Sequence, residues 1–241
     1  MKKLLIISFL SIGLIGCSSI ELEAVSTSQE ETNRILAMGL THEENLSEAN
    51  KLNTAHMISV VSLQLTNARD EKIQAEVDFI ESEKYAALVQ VSESKSSFIG
   101  PELIKTIKNG VLETDIDTQT LYLRGTKNDS GIMEHILSVK IEHLSSNQRT
   151  YSSANVCDSW GRCDGALLEL NLISSNSSSC STIGCNHAYV MEFNLSDEFL
   201  RSNVDASGYS NGLTIQIKRN RFSNKVNIPS DYLAGYLKVA N

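Results

Sequence analysis

Four cysteines in the C-terminal part of the chain, Cys157, Cys163, Cys180 and Cys185, carry the most compartment-dependent chemistry in this sequence. As thiolates beside His187 they could hold zinc; in an oxidising compartment they pair with one another. The spacings, C-x5-C and C-x4-C, lack the tight pairs of a zinc ribbon, and no C-x-x-C redox motif occurs. No metal and no cofactor is expected, and two disulfides are. Apolar alternation over 166–173 and 187–195 predicts two strands joined through a Ser-rich loop, 174–186. Cys163 then sits at one end of that hairpin, with Cys180 and Cys185 at the other. Eight strand residues separate the ends by roughly 27 Å, whereas a disulfide holds its Cα atoms within about 7 Å. The expected bonds are therefore local, Cys157–Cys163 and Cys180–Cys185.

The first bond clamps Asp158-Ser159-Trp160-Gly161-Arg162, which holds the only tryptophan of the chain. A rigid loop presenting Trp160 and Arg162 has the composition of a binding hot spot; the competing arrangement folds Trp160 back as a lid on the sheet. A second candidate is the basic run Lys218, Arg219 and Arg221, with Phe222 and Lys225 close by. It could meet an anionic glycan, lipid phosphates or an acidic partner, or guard an exposed strand edge.

Catalytic constellations are harder to find. There is no G-x-S-x-G, H-E-x-x-H or phosphate-binding glycine loop. His135 and His143 flank one strand about 27 Å apart, too far to share a metal, and read as surface or internally satisfied side chains. Asp115 and Asp117 could face one side of a strand, as carboxylates do in acid–base or calcium sites, but a solvated strand face is the expectation.

These residues need a scaffold. Ser28-Gln29-Glu30-Glu31 and Thr41-His42-Glu43-Glu44 fit capping boxes, with Gly39 as a stop between them, and predict two short helices. Residues 57–65 read as β-rich, 69–84 suit helix or strand, 85–91 suit a strand, and Pro101–Asn109 a short helix. Strands follow at 121–123, 136–143, 166–173, 187–195 and 213–217, with a last helix from Ser230 to about Val239. The expected fold is mainly β: an antiparallel β-sandwich or curved sheet with short peripheral helices and an N-terminal helical spacer, or α+β if 69–84 is helical.

The N-terminus sets the address. Met1-Lys2-Lys3 precedes an apolar stretch, Leu4–Ile15, of signal-peptide length and too short to span a bilayer. It ends in Leu14-Ile15-Gly16-Cys17, which resembles the lipobox of bacterial lipoproteins: an aliphatic residue at −3, a small one at −1, then cysteine. The resemblance covers residues 1–17 only. It implies cleavage before Cys17, a diacylglyceryl thioether on its sulfur and an acyl chain on its freed amine, and so a membrane anchor through lipid on Cys17. Ser18 at the next position resembles the signal for the outer membrane.

The chain carries 21 Lys and Arg against 29 Asp and Glu, and losing Lys2 and Lys3 with the leader takes its net charge from −8 to −10. Most of the acidity lies before residue 151, where 18–150 hold 21 Asp and Glu against 12 Lys and Arg. Such a balance excludes general nucleic-acid binding. The organisation expected is a signal peptide, 1–16; a lipidated tether, 17–28; a helical spacer, 29–55; and a β-rich domain, 56–241. The function expected is a membrane-anchored envelope lipoprotein, a non-catalytic binding domain for a protein or envelope glycan. The alternatives are an envelope hydrolase with a site assembled from distant residues, and a small-ligand carrier.

Overall fold

The structure, a computed structural model, describes residues 18–108, 116–158, 160–204, 212–219 and 222–240, with side chains from Thr27 onward. The chain divides into two compact units between Gln74 and Ala75. The first contains α1 (Ser18–Leu36), α2 (His42–Ala49) and residues 55–74 of α3 (Ala55–Leu88).

Thr41 caps α2 as its sequence predicts. Its hydroxyl accepts from the Glu44 N–H, and the Glu44 carboxylate accepts from the Thr41 N–H at 2.9 Å. Ile35, Ala49, Val61 and Leu65 form the buried core of this unit. That core explains a correction: residues 57–65, expected as a strand, are helical. Val61 and Leu65 stand one helical turn apart, and burying each contributes about 1.5–3 kcal/mol, which outweighs the few tenths lost to β-branching in a helix. Residues 18–28, expected as a tether, also lie in α1. The ambiguous 69–84 is helical.

The second unit begins with residues 75–88 of α3 and continues through β1 (Gln90–Val91), β2 (Ser97–Ile99), β3 (Leu103–Lys108), β4 (Ile116–Lys127), β5 (Met133–Ser145), β6 (Tyr151–Cys157), β7 (Leu167–Leu168), β8 (Asn171–Ser181), β9 (Gly184–Ser196), α4 (Asp197–Ser202), β10 (Leu213–Arg219), β11 (Phe222–Ile228) and α5 (Ser230–Val239). A seven-stranded sheet runs β1-β2-β4-β5-β9-β8, with β3 also on β4; a four-stranded sheet runs β11-β10-β6-β7. The strand pairings are antiparallel.

The fold is mainly β, as expected, and its two sheets share one core. Tyr189, Met191, Phe193 and Leu195 line it from β9, and Leu213, Ile215 and Ile217 from β10, each set at the period of two that a half-buried strand requires. The helical content is larger than the short helices expected, because α3 spans 34 residues. Residues 166–173, expected as one strand, divide between the sheets: Leu167–Leu168 pairs with β6, and the pairing with β9 begins at Asn171. Further local expectations fail. Residues 85–91 stay helical to Leu88, where Tyr85 packs edge-on against Tyr232 of α5. Pro101–Asn109 is not a helix: Leu103–Lys108 pairs with β4 from Leu103↔Leu121 to Lys108↔Ile116, and the sheet's open backbone groups satisfy the segment better than one isolated turn would.

α5 closes one end of the core with Tyr232, Leu233, Tyr236 and Leu237, all buried. The Tyr232 hydroxyl donates to the Pro101 carbonyl and accepts from the Leu123 N–H, both at 3.0 Å. Gly235 lies against α3, where a Cβ would overlap the Ser82 carbonyl.

Candidate functional site

β6 ends at Cys157, which is bonded to Cys163. Asp158 organises the loop between them. Its Oδ1 accepts from the Trp160 and Arg162 N–H groups at 3.0 and 2.8 Å, and its Oδ2 from the Arg162 guanidinium at 2.8 Å. The Arg162 side chain, helped by these N–H groups, holds the Asp158 carboxyl below its usual range. Gly161, at φ +79°, takes the left-handed turn, a conformation glycine adopts without strain. From β11, the Lys225 ammonium donates to the Gly161 carbonyl at 3.2 Å. Trp160 does not fold back as a lid: it is 83% exposed. Trp160 and Arg162 therefore share a loop fixed by one covalent bond and several hydrogen bonds.

The basic residues divide. Leu213, Ile215 and Ile217 point into the core, so Thr214, Gln216 and Lys218 face outward. Lys218 is exposed and lies opposite Ser153 and Ser223. Arg219 stacks over the exposed Phe222, 5.5 Å from its ring centre. Arg221 lies outside the described residues, as do Cys17 and Asp115. The clamped loop and Lys218 sit toward opposite ends of one sheet face, roughly 14 Å apart along β10, and Lys225 lies between them. Sequence reasoning treated them as two candidates; the register makes them one face.

The second disulfide, Cys180–Cys185, joins β8 to β9 at the hairpin tip. The Ser-rich segment expected as the loop 174–186 is mostly strand, with a turn at 182–183, because the ladder to β9 continues to Ser181↔Gly184. This extension places Ser177 beside His187. His187 gives its Nε2–H to the Ser145 carbonyl at 3.0 Å, which leaves Nδ1 to accept from the Ser177 hydroxyl at 2.7 Å. Gln148 donates to the same hydroxyl at 3.2 Å.

One row of side chains crosses four strands on the inner side of the large sheet: Asp117, His143, His187 and Ser177. Asp117 was expected on a solvated face, yet it is fully buried. Its Oδ2 accepts from Arg149 at 2.6 Å and from Asn224 of the facing sheet at 2.7 Å. A carboxylate taken from water at such a cost requires this pairing. His143 is buried too, with its ring edge-on to His187 and Tyr189, and neither ring nitrogen has a hydrogen-bond partner among the described residues. Burial, with the Arg149 charge beside it, pulls its pKa down to about 4. His135, at the far end of β5, bonds Tyr236 at 3.0 Å and Asp197 at 3.1 Å. The missed signal was parity: Asp117 shares it with Leu121 and Leu123, and His143 with Val139 and Ile141, all core residues.

Chemically, three arrangements are present. The clamped loop can stack an indole on a partner. The Ser177–His187 contact joins a hydroxyl to an imidazole whose other nitrogen is held by the Ser145 carbonyl, as nucleophile and base are joined. At the same end of the large sheet, an open depression of about 430 Å³ is lined by Thr118, Glu142, Asn186 and Ala188 together with His143 and His187. Among the described residues no three His, Cys, Asp or Glu side chains are placed to hold a metal ion. No protein-family model, curated protein or solved structure matches the chain.

Proposed function

We propose that this protein is an exported, lipid-anchored component of a bacterial envelope, and that its β-rich unit binds a protein or envelope polymer through the loop 157–163. The observation that carries the binding is Trp160. An indole of this size left in water contributes nothing to folding, while the chain commits a disulfide, an Asp158 network and Lys225 to fixing the loop that bears it. Two local disulfides support an oxidising, extracytoplasmic setting. The anchor rests on the resemblance of residues 14–17 to a lipobox.

The test is chemical cross-linking in intact cells followed by mass spectrometry of what copurifies. A reproducible partner lost on W160A/R162A supports the reading; a partner retained by that variant counts against it. For the anchor, C17A should yield an uncut precursor without lipid. A trimmed, lipid-free product would refute it.

A second reading has its own observation, the Ser177–His187 hydrogen bond. An acyl hydrolase built there would bond Ser177 Oγ to an acyl carbon as its proton passes to His187 Nδ1, and that proton would leave with the departing alcohol. Water would then release the acid. A fluorophosphonate that labels Ser177 in the purified protein, and fails to label H187A, would favour this reading over the first.

A further inference from the structure

We propose that the outward face of the four-stranded sheet binds an anionic polysaccharide; this rests on the reading of the Trp160 loop as a binding element and names what it binds.

The first argument is charge. The chain has 29 Asp and Glu residues, yet none lies in β6, β7, β10 or β11, which instead carry Lys218, Arg219 and Lys225. The larger sheet mixes both signs in its strands, setting Asp117, Glu134, Glu142 and Glu192 among five Lys and Arg residues. Neither Lys218 nor Lys225 forms an ion pair among the described residues, where the Lys225 ammonium meets a neutral carbonyl. Lys218 lies opposite Ser223, two residues from Lys225, so the two ammonium-bearing positions are diagonal neighbours roughly 7–8 Å apart. In a protein this acidic, four strands without a carboxylate, carrying two cations that form no ion pair among the described residues, are where a polyanion meets least repulsion. The one carboxylate of the clamped loop, Asp158, is paired with Arg162.

The second argument is what surrounds the cations. Register places Asn155, Gln216 and Lys225 in one row across three strands, and Ser153, Lys218 and Ser223 in the next; Thr214 and Asn227 follow on the other side. These are amides and hydroxyls, groups that both donate and accept and so match sugar hydroxyls. The centre of a protein–protein interface is aromatic and apolar instead. The indole stands at the rim of this polar platform, tied to it through Lys225 and Gly161. A flat ring against a sugar's C–H face, amides against hydroxyls, and ammonium groups against carboxylates or phosphates make one coherent set.

The experiment uses the full-length lipoprotein in detergent with three probes: polygalacturonate, neutral dextran and poly-glutamate. Trp160, as the only tryptophan, reports binding through its emission. Polygalacturonate should shift that emission, with the effect weakened by salt and about tenfold weaker in K218Q/K225Q. Equal shifts with dextran would overturn the anionic assignment. Equal binding of poly-glutamate would overturn the glycan assignment in favour of an acidic protein. If no probe binds but a cellular partner is still lost on W160A, the polysaccharide proposal fails and the loop's binding role stands. If W160A loses no cellular partner, it is the underlying reading that fails.

Discussion

Asp117 and Arg149 form an ion pair at 2.6 Å, and Asp158 and Arg162 form another at 2.8 Å, but the surroundings invert their meaning. The first pair is buried, with side chains 0% and 10% exposed; the second stands in water, at 32% and 72%. Within the core, each partner is obligatory because losing one strands the other in a low dielectric. In the loop, solvent replaces either partner, so the pair shapes a local turn and contributes little to stability. One cluster holds two sheets together; the other presents a surface.

Breaking the buried pair should have the largest effect. Asp117→Ala leaves Arg149 unpaired and should lower the unfolding free energy by about 3–5 kcal/mol in a denaturant titration; Asp158→Ala should lower it by less than about 1 kcal/mol. Similar losses for the two would erase the distinction. Acid should discriminate next. His143 has a folded pKa of about 4 against an ordinary 6.5, so the unfolded chain binds the extra proton first. Its contribution is present above about pH 6.5 and disappears as pH falls toward 4, by up to about 3 kcal/mol. Burial depresses His135 in the same direction. A melting temperature flat between pH 7 and 4 would contradict this, and His143→Phe should flatten part of any slope.

Opening the loop comes third. Replacing Cys157 and Cys163 with alanine should lower stability by roughly 2 kcal/mol, the cost expected for so short a closed loop. It should also blunt binding, because the loop must then be ordered on contact. The smallest change in stability, within about 0.5 kcal/mol, is expected for Trp160→Ala. If that variant instead unfolds easily, Trp160 is a packing residue and the comparison of core with surface fails there.

The regions that could be read in advance are those where one physical rule acts alone. The inward sets Tyr189–Leu195 and Leu213–Ile217 follow from period-two alternation, the α2 start from its capping box, and both disulfides from the reach of a strand. Errors arose where rules compete. Ile58, Val60 and Leu63 look like a strand until Val61 and Leu65 find Ile35 and Ala49 from distant helices. Pro101 followed by a glycine nine residues after it mimics a helix, but the free edge of β4 captures the segment. Asp117 and His143 are legible by parity, although a lone polar side chain on a strand ordinarily faces solvent. Their partners Arg149 and Asn224 come from other elements, which no spacing reveals.

The two disulfides have a consequence for how the chain reaches this state. They span six and five residues, so each can close as soon as its own loop forms. The sheet they decorate is not local: β5 must find β9 about fifty residues downstream, and β4 must present Asp117 to Asn224 across a separation of 107. Oxidation therefore shortens none of the searches that limit folding. The sulfur chemistry should finish early and the sheets should close late. The interval between those events is when the uncharged edge strand Asn171–Ser181 is most open to pairing with a neighbouring chain.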